Sequence, residues 1–346
     1  HNELGALVFT GNGLASYVVP VGAVSNGEFR NYTASAPAHS STDINLSLTV
    51  TSVDTQAVNS ASVTDSRTIP LSQKINVTAV AEQVGGDSNH DGSSDLTINP
   101  SFNYSSAGAE DQWFSLNSDG FQLKTGWNNQ DVDGSEQTFA LLTPVLSGGS
   151  ALGSQFKYLD AGNNSVILTF TGSALQIPMN SLNSVSFLAP TNVAGSFTIQ
   201  VQALTIDTDP NGGAPVQAIS GSATLTNLVI APVADAVTLA VDAPAVGLED
   251  TAIPMVIRPS SADASETFTV TISGIPVGAS IYYNGALQTV TTGSVVINNF
   301  STTVPLTITP PPHSNLDIPL TVSVVSVDTS NGITSRNSLG CVSVPS

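Results

Sequence analysis

The most constraining feature of this sequence is an internal repeat. Residues 36–55 read APAHSSTDINLSLTVTSVDT, and residues 310–329 read PPPHSNLDIPLTVSVVSVDT. Identical residues recur at one fixed offset, among them His39 and Asp54. A third, more diverged copy, LAPTNVAGSFTIQVQALTIDT, ends at Thr208. Because copies of one unit fold alike and stack on their neighbours, the chain is predicted to be a tandem array of modules.

A second repeated element places the module boundaries. Residues 96–116 (LTINPSFNYSSAGAEDQWFSL) and 239–255 (LAVDAPAVGLEDTAIPM) each carry a Glu-Asp pair before a strand, and an acidic turn follows each pair. A module therefore starts near such a pair and ends after the repeated strand. This register predicts three blocks, 1–83, 84–236 and 237–346, and the proline in the linker APVADAV supports the second boundary.

The first block does not contain the acidic pair of the other two. We therefore interpret residues 1–83 as the C-terminal part of a module. An alternative interpretation is that another chain supplies the missing strands, because an exposed strand edge is a template for pairing.

Alternation of polar and apolar residues predicts strands with one buried face. Residues 45–53 (NLSLTVTSV), 196–201 (SFTIQV) and 267–272 (TFTVTI) all have this period of two, and Asn-Gly turns separate such runs. No window shows the spacing of an amphipathic helix. The predicted fold class is all-β, with tandem β-sandwich modules in an elongated array.

Charge and cysteine content exclude several classes of protein. Seven basic and 26 acidic residues give a formal net charge of -19, which repels nucleic acid and anionic membranes. The single cysteine excludes an intrachain disulfide. No apolar run reaches the length of a membrane span, so we expect a protein that is not membrane-inserted. A targeting signal is expected outside this sequence.

One acidic loop has the spacing of a calcium site. In DSNHDGSSD, residues 87–95, oxygen-bearing side chains stand at relative positions 1, 3, 5 and 9, and glycine at position 6 permits a sharp turn. The predicted ligands are Asp87, Asn89, Asp91 and Asp95. The loop is similar to those of thrombospondin type 3 and dockerin repeats. The alternative is a solvated turn without a metal.

The acidic pairs and acidic turns predict further calcium sites at the module ends. Carboxylates gathered at one end of a sandwich repel one another unless a divalent cation lies among them. The alternative is that some of them only form turns or caps. The residues assigned to these sites are Glu110, Asp111, Asp131, Asp133, Glu136, Asp207, Asp209, Glu249, Asp250, Asp263, Glu266 and Asp328.

Several phrases resemble the repeated modules of large RTX or Bap-type adhesins of Gram-negative bacteria. GLEDTAIPMVI, SADASETFTVTISGIPVGASI and LTVSVVSVDTSNG carry the resemblance closely over residues 237–346. It extends through AEDQWFSL and DVDGSEQTFALL over 84–236, and in part over 1–83. The resemblance implies Ig-like modules, calcium at their joints, type I secretion and an extracellular place on the bacterial surface. The turn Asp263–Glu266 has fewer acidic residues than its counterpart Asp131–Glu136. The resemblance therefore does not account for one ligand of the site at Asp263–Glu266.

An enzyme is not expected. Two of the four histidines, His39 and His313, are repeat equivalents, so a Ser/His/Asp site would have to occur twice. Pairs of close carboxylates outside a cleft bind metal ions more readily than they act as acid/base catalysts. Trp127, beside a run of amides, is a candidate glycan contact or a packing residue, and Trp113 is expected in the core.

The predicted function is mechanical. Calcium would stiffen the joints between neighbouring modules of one chain, so that an adhesin can hold its ligand-binding tip away from the cell. Two alternatives remain open. The middle module could itself bind a surface glycan or a host or biofilm receptor, or the first block could assemble the chain into a surface filament.

Overall fold

The computed structural model of the chain describes residues 33–58, 61–87, 93–129, 134–242 and 246–343. Within these ranges the chain is nearly all β, which confirms the predicted fold class at that level. Two short 3-10 helices, Leu123–Gly126 and Met179–Ser184, are the helices of the described part. Neither has the length and apolar character needed to cross a bilayer.

The chain divides into two compact units. The first unit comprises His1–Ile98, Trp127–Phe139 and Ala203–Gly221. The second unit comprises the remaining segments, 99–126, 140–202 and 222–346.

Residues 44–75 form a two-stranded antiparallel ribbon. Strand β1 (Ile44–Val58) pairs with β2 (Ala61–Ile75) along its whole length. Leu48 lies opposite Leu71 and Val50 opposite Ile69, so the apolar residues of the alternating pattern share one face. In the part of the chain that the structure describes, no further strand joins this ribbon.

Residues 96–231 form two larger sheets and a small pair. One sheet has the order β10-β9-β12-β6, the other has β11-β8-β13-β14-β4 with β5 also on β14, and β3 pairs with β7. The strands are β3 (Leu96–Ile98), β4 (Phe102–Asn103), β5 (Ala107–Ala109), β6 (Phe114–Ser115), β7 (Trp127–Asn129), β8 (Glu136–Leu146), β9 (Gln155–Leu159), β10 (Ser165–Thr169), β11 (Leu175–Pro178), β12 (Ser186–Leu188), β13 (Gly195–Asp207) and β14 (Val216–Ala231).

Aromatic rings from three strands meet in the interior of this region. The rings of Phe156 and Phe197 lie 5.4 Å and 5.2 Å from that of Phe187, and all three side chains are fully buried. Tilted and edge-on contacts of this kind add to the free energy of burial. The alternation of buried and half-exposed residues at the start of β13 is the pattern that the sequence predicted for residues 196–201, and β8 shows the same alternation.

Residues 238–343 form two four-stranded sheets and a two-stranded pair. The orders are β16-β22-β19-β20, β21-β18-β23-β24 and β15-β17. The strands are β15 (Thr238–Val241), β16 (Ile253–Met255), β17 (Ile257–Ser260), β18 (Thr267–Ser273), β19 (Ser280–Tyr283), β20 (Ala286–Leu287), β21 (Ser294–Ile297), β22 (Leu306–Thr309), β23 (Thr321–Ser330) and β24 (Ile333–Ser343).

Both four-stranded sheets contribute to one core. Ile281 and Ile308 of one sheet and Ile272, Val322 and Val324 of the other belong to the same buried cluster. Two sheets that face each other around a common apolar layer are the arrangement that alternating strands produce. The described strand pairings fall within 44–75, 84–231 and 238–343, and the boundaries near 83 and 236 stay predictions.

Repeat-equivalent positions differ in burial between the ribbon and the last module. Leu46 and Val50 of β1 are 43% and 45% exposed. Their equivalents at the offset of the repeat, Leu320 and Val324, are 5% and 0% exposed. The same apolar face is therefore a core face in residues 238–343 and an exposed face in the ribbon.

This difference predicts unequal costs for the same substitution. Val324→Ala removes two buried methyl groups and should lower the free energy of unfolding by about 2 kcal/mol. Val50→Ala, its matched control, should change it by less than about 0.5 kcal/mol, because the side chain is exposed. Urea unfolding followed by circular dichroism measures both, and equal losses would contradict the described burial.

Candidate metal sites

Two short linkers in the chain have the same pattern. Residues 77–84 read VTAVAEQV, and residues 230–237 read IAPVADAV. Val80 therefore corresponds to Val233, and the buried Ala81 to the buried Ala234. The first linker lies in the first unit and the second lies in the second unit.

A glutamate side chain holds each linker at the same backbone position. The N–H of Glu82 donates to Oε1 of Glu136 at 2.8 Å. In the second unit the N–H of Asp235 donates to Oε1 of Glu266 in the same way. Both glutamates were assigned from the sequence as metal ligands, whereas Glu82 and Asp235 were not.

A hydroxyl group from a long strand fixes the other side of each linker. Thr205 Oγ1 donates to the carbonyl of Glu82 at 2.6 Å, and Ser326 Oγ donates to the carbonyl of Asp235 at 2.8 Å. Two residues beyond these hydroxyls stand Asp207 and Asp328. Both aspartates are buried; Asp207 is the last residue of β13, and Asp328 lies two residues before the end of β23.

Three carboxylates meet beside the linker of the second unit. Glu110, Asp263 and Asp328 each offer an oxygen, and these oxygens lie within 4.8 Å of one another. The residues are 2%, 6% and 5% exposed. All three were assigned from the sequence to metal sites, and the structure brings them together.

Backbone groups position the first two members of this cluster. The N–H of Glu110 donates to the carbonyl of Ala231 at 3.0 Å, and Oε1 of Glu110 accepts from the N–H of Val233. The N–H and the hydroxyl of Ser265 each donate to a carboxylate oxygen of Asp263 at 2.7 Å. These bonds fix both carboxylates in place next to each other.

Several oxygens of the cluster and its neighbour have no hydrogen-bond partner. Oε2 of Glu110, Oδ2 of Asp328 and Oε2 of the adjacent Glu266 are buried without one. No lysine, arginine or histidine among the described residues forms an ion pair with these groups. Buried carboxylates without a proton or a cation are costly, so this set of hard oxygen ligands suits a divalent metal ion.

Burial also changes the acidity of Glu110. Loss of water contact raises the pKa of this carboxyl from 4.5 to about 8. Its bond from the N–H of Val233 opposes the rise, whereas the nearby Asp328 and Asp263 add to it. A proton and a metal ion therefore compete for the same buried oxygen.

A different donor set lies beside the linker of the first unit. Nδ1 of His39 is 3.6 Å from Oε1 of Glu82, and its Nε2 is 3.5 Å from Oδ1 of Asp95. The three side chains are buried, and their ligand atoms lie within 4.8 Å of one another. Of these residues only Asp95 was assigned to a metal site from the sequence.

The sequence did carry a signal for the other two residues. His39 occupies the repeat position of Asn192 and His313, and all three have a left-handed backbone, with φ of 54°, 56° and 59°. Glu82 occupies the linker position of Asp235. Comparison of the linkers would have pointed to Glu82, whereas the repeat marks His39 only as a loop residue with a left-handed backbone in all three copies.

The two residues of each Glu-Asp pair have separate roles. Oδ1 of Asp111 accepts the N–H of Asn192 at 3.2 Å, and Oδ1 of Asp250 accepts the N–H of His313 at 2.9 Å. These aspartates anchor a loop and lie outside the carboxylate cluster. Glu110 belongs to the cluster, whereas its repeat equivalent Glu249 is exposed.

The remaining assigned residues are dispersed or lie outside the described part. Oδ1 of Asp209 accepts the N–H of Asn211 at 2.7 Å within a turn. Oδ2 of Asp207 accepts the N–H of Val80 at 2.9 Å, and Asp87 is half-buried. Asn89, Asp91, Asp131 and Asp133 lie outside the described residues.

Of the two tryptophans, Trp113 differs from its predicted burial, and Trp127 agrees with the packing alternative. Trp113 was expected in the core, but it is only half-buried, and the Nζ of Lys157 lies 4.4 Å from its ring centroid. The adjacent Phe114 is the buried residue of that strand. Trp127, the candidate glycan contact, is 8% exposed, so it acts as a packing residue in this structure.

Comparison with known proteins gives no family for this chain. No protein-family model and no curated protein matched its sequence.

The acidity of Glu110 predicts how stability varies with pH when calcium is removed. A carboxyl whose pKa is raised on folding stabilises the fold fully below pH 4.5, and this contribution is lost as the pH rises through about 8. In a chelator, the free energy of unfolding should therefore fall between about pH 5 and 8.5. Denaturant titrations at several pH values measure this.

Glu110→Gln removes the titrating group and should flatten that pH dependence. Glu249→Gln, its exposed repeat equivalent, should leave the dependence unchanged and serves as the control. Identical slopes in the parent chain and Glu110→Gln would show that burial of Glu110 does not govern its acidity.

Proposed function

We propose that this chain is a calcium-binding extender region of a secreted bacterial surface adhesin of the RTX or Bap type. Its modules are Ig-like sandwiches in tandem, with calcium at their joints. Its role is mechanical, in biofilm or surface attachment, and no catalytic function is assigned to it. Its place is extracellular, at the bacterial surface.

The observation that carries the proposal is the origin of the Glu110 cluster. Glu110 follows β5, in the sheets of residues 96–231, whereas Asp263 lies in the turn between β17 and β18 and Asp328 lies on β23, within residues 238–343. A cation among these three groups would tie consecutive sets of sheets together. Such a tie stiffens a joint, because separating the two sides would expose the cation's ligands and break its bonds.

The donor chemistry favours calcium over other divalent ions. The cluster offers only carboxylate oxygens. Hard oxygen ligands suit calcium or magnesium rather than metals that prefer thiolate or imidazole ligands. Calcium tolerates irregular geometry and up to about eight ligands, which fits carboxylates contributed by a loop, a turn and a strand. Magnesium requires a regular octahedron and retains several waters.

The acidic composition agrees with an extracellular calcium protein. A net charge of -19 on 346 residues destabilises a compact fold through self-repulsion unless cations neutralise part of it. Millimolar calcium outside cells would supply that neutralisation. Of the alternative functions, glycan binding through Trp127 loses support, because that side chain is buried.

Calcium should raise the thermal stability of the second unit in a way that depends on Glu110. With a Kd of about 10⁻⁵ to 10⁻⁴ M, millimolar calcium stabilises a site by roughly 1.5 to 3 kcal/mol, which scanning calorimetry detects as a rise in melting temperature. Glu110→Gln should lose most of that rise and one equivalent of bound calcium. Glu249→Gln should retain both.

Small-angle scattering tests the mechanical part of the proposal. The maximum dimension should be longer and more sharply defined with calcium than with chelator, because stiff joints suppress bending. A chain that binds no calcium by calorimetry, or whose scattering curve is the same in calcium and chelator, would refute the role as an extender.

A further inference from the structure

The strand that leads to Glu110 is short. Strand β5 (Ala107–Ala109) pairs in parallel with residues 229–231 of β14, and the N–H of Glu110 then donates to the carbonyl of Ala231 at 3.0 Å. So short a pairing has few hydrogen bonds of its own to fix its position. Its register on β14 nevertheless decides which side chain of the Ala-Glu-Asp sequence reaches the carboxylate cluster.

The chain that leads to β5 contains a register shift. In the pairing of β4 with β14, Phe102 lies opposite Leu225. In the pairing of β5, Ala107 lies opposite Val229. The segment thus advances five residues where β14 advances four, and residues 104–106 take up the extra residue. A further shift by one residue would exchange the two faces of β5 and bring the wrong side chain to the cluster.

One carboxylate binds the residues of this register shift. The N–H groups of Ser105 and Ser106 donate to Oδ2 of Asp119, at 2.9 Å and 2.8 Å. The hydroxyl of Ser105 donates to the same oxygen at 3.2 Å, and that of Ser106 donates to Oδ1. Asp119 therefore holds two consecutive residues immediately before β5 begins.

A tight turn presents Asp119 to these serines. Asp119 and Gly120 both have a left-handed backbone, with φ of 56° and 80°. The N–H of Phe121 closes the turn by donating to the carbonyl of Ser118 at 2.9 Å. Aspartate followed by glycine is a residue pair that such turns favour. The ring of Phe121 stacks on that of Phe102 in β4, with centroids 4.5 Å apart, so the turn packs against the segment that it binds.

The hydrogen bonds also affect the acidity of Asp119. The hydroxyl and the N–H of Ser106, followed by the N–H of Ser105, lower the pKa of this carboxyl from 3.8 to about 2. Asp119 is therefore ionised near neutral pH. Ionised acceptors bind N–H and O–H donors more strongly than neutral ones.

We infer that Asp119 is a positioning residue for the metal site: it fixes the register of β5 and thereby places Glu110 in the carboxylate cluster. Its own bonds go to Ser105 and Ser106, so it acts on Glu110 through the backbone. The consequence for calcium rests on the proposed function, whereas the effect on the position of Glu110 does not.

Amide exchange in a chelator tests the positioning role without a metal ion. Asp119→Gly removes both carboxylate oxygens and accepts the left-handed backbone without strain. The N–H of Glu110, and that of Val233, which donates to Oε1 of Glu110, should exchange about tenfold faster in this variant. The amides of Phe197 and Ile199 in β13 should keep their rates. Exchange followed by NMR resolves these groups.

Asp160→Gly is the matched control. Asp160 also anchors a turn, the one between β9 and β10, where it accepts the N–H groups of Gly162 and Asn164, each at 2.8 Å. Because these partners belong to its own turn, its loss should leave exchange at Val233 unchanged. Asp119→Asn keeps one oxygen acceptor and tolerates the left-handed backbone, so it should restore most of the protection.

Titration calorimetry measures the consequence for the metal site. Asp119→Gly should bind calcium about tenfold more weakly than the parent chain, because groups that orient a metal ligand contribute at least this much to affinity. Asp160→Gly should change the calcium Kd by less than about twofold, as a surface substitution far from the site does.

The outcomes separate this inference from the proposed function. A parent chain that binds no calcium counts against the proposed function, while exchange in chelator still decides the role of Asp119. Exchange at Val233 that is unchanged in Asp119→Gly, or that rises equally in Asp160→Gly, overturns the positioning role. An equal rise throughout β13 also overturns it, because the loss of stability is then general. Faster exchange at Val233 with an unchanged calcium Kd overturns the link between Asp119 and the metal site.

Discussion

Burial of like charges at the linker of the second unit is the constraint on which the rest of the structure depends. Two like charges about 4 Å apart repel by about 4 kcal/mol at an effective dielectric constant of about 20, and burial adds a desolvation cost. Hydrogen bonds from the N–H of Val233 and from Ser265 offset part of that cost at Glu110 and Asp263. They leave Oδ2 of Asp328 without a partner, so a proton or a cation must supply the remainder.

The linkers are held by polar bonds rather than by apolar packing. In each unit a glutamate oxygen accepts a linker N–H, and a strand hydroxyl donates to the carbonyl of the same linker residue. These bonds fix the direction of the chain on entering the next set of strands. The second oxygen differs between the two glutamates: Oε2 of Glu136 accepts the side-chain amide of Asn129 at 2.9 Å, whereas Oε2 of Glu266 is buried without a hydrogen-bond partner.

The sequence predicted the strands better than it predicted the ligands. Alternation and the repeat located β13 and β23, because burial of one face imposes a period of two on any strand. The acidic pairs looked like uniform ligands, yet a left-handed backbone aims Asp111 and Asp250 at a loop N–H instead. Backbone conformation of that kind leaves little trace in residue type. His39 was not predicted to be a metal ligand, because its repeat position holds either histidine or asparagine. Only tertiary packing places it against Glu82 and Asp95.

Repetition determines which face of a strand is apolar, but not what covers that face. Leu46 and Val50 keep the pattern of Leu320 and Val324, although only the second pair is buried. Apolar residues on an exposed face of a strand lower the solubility of a protein, because such a face promotes association.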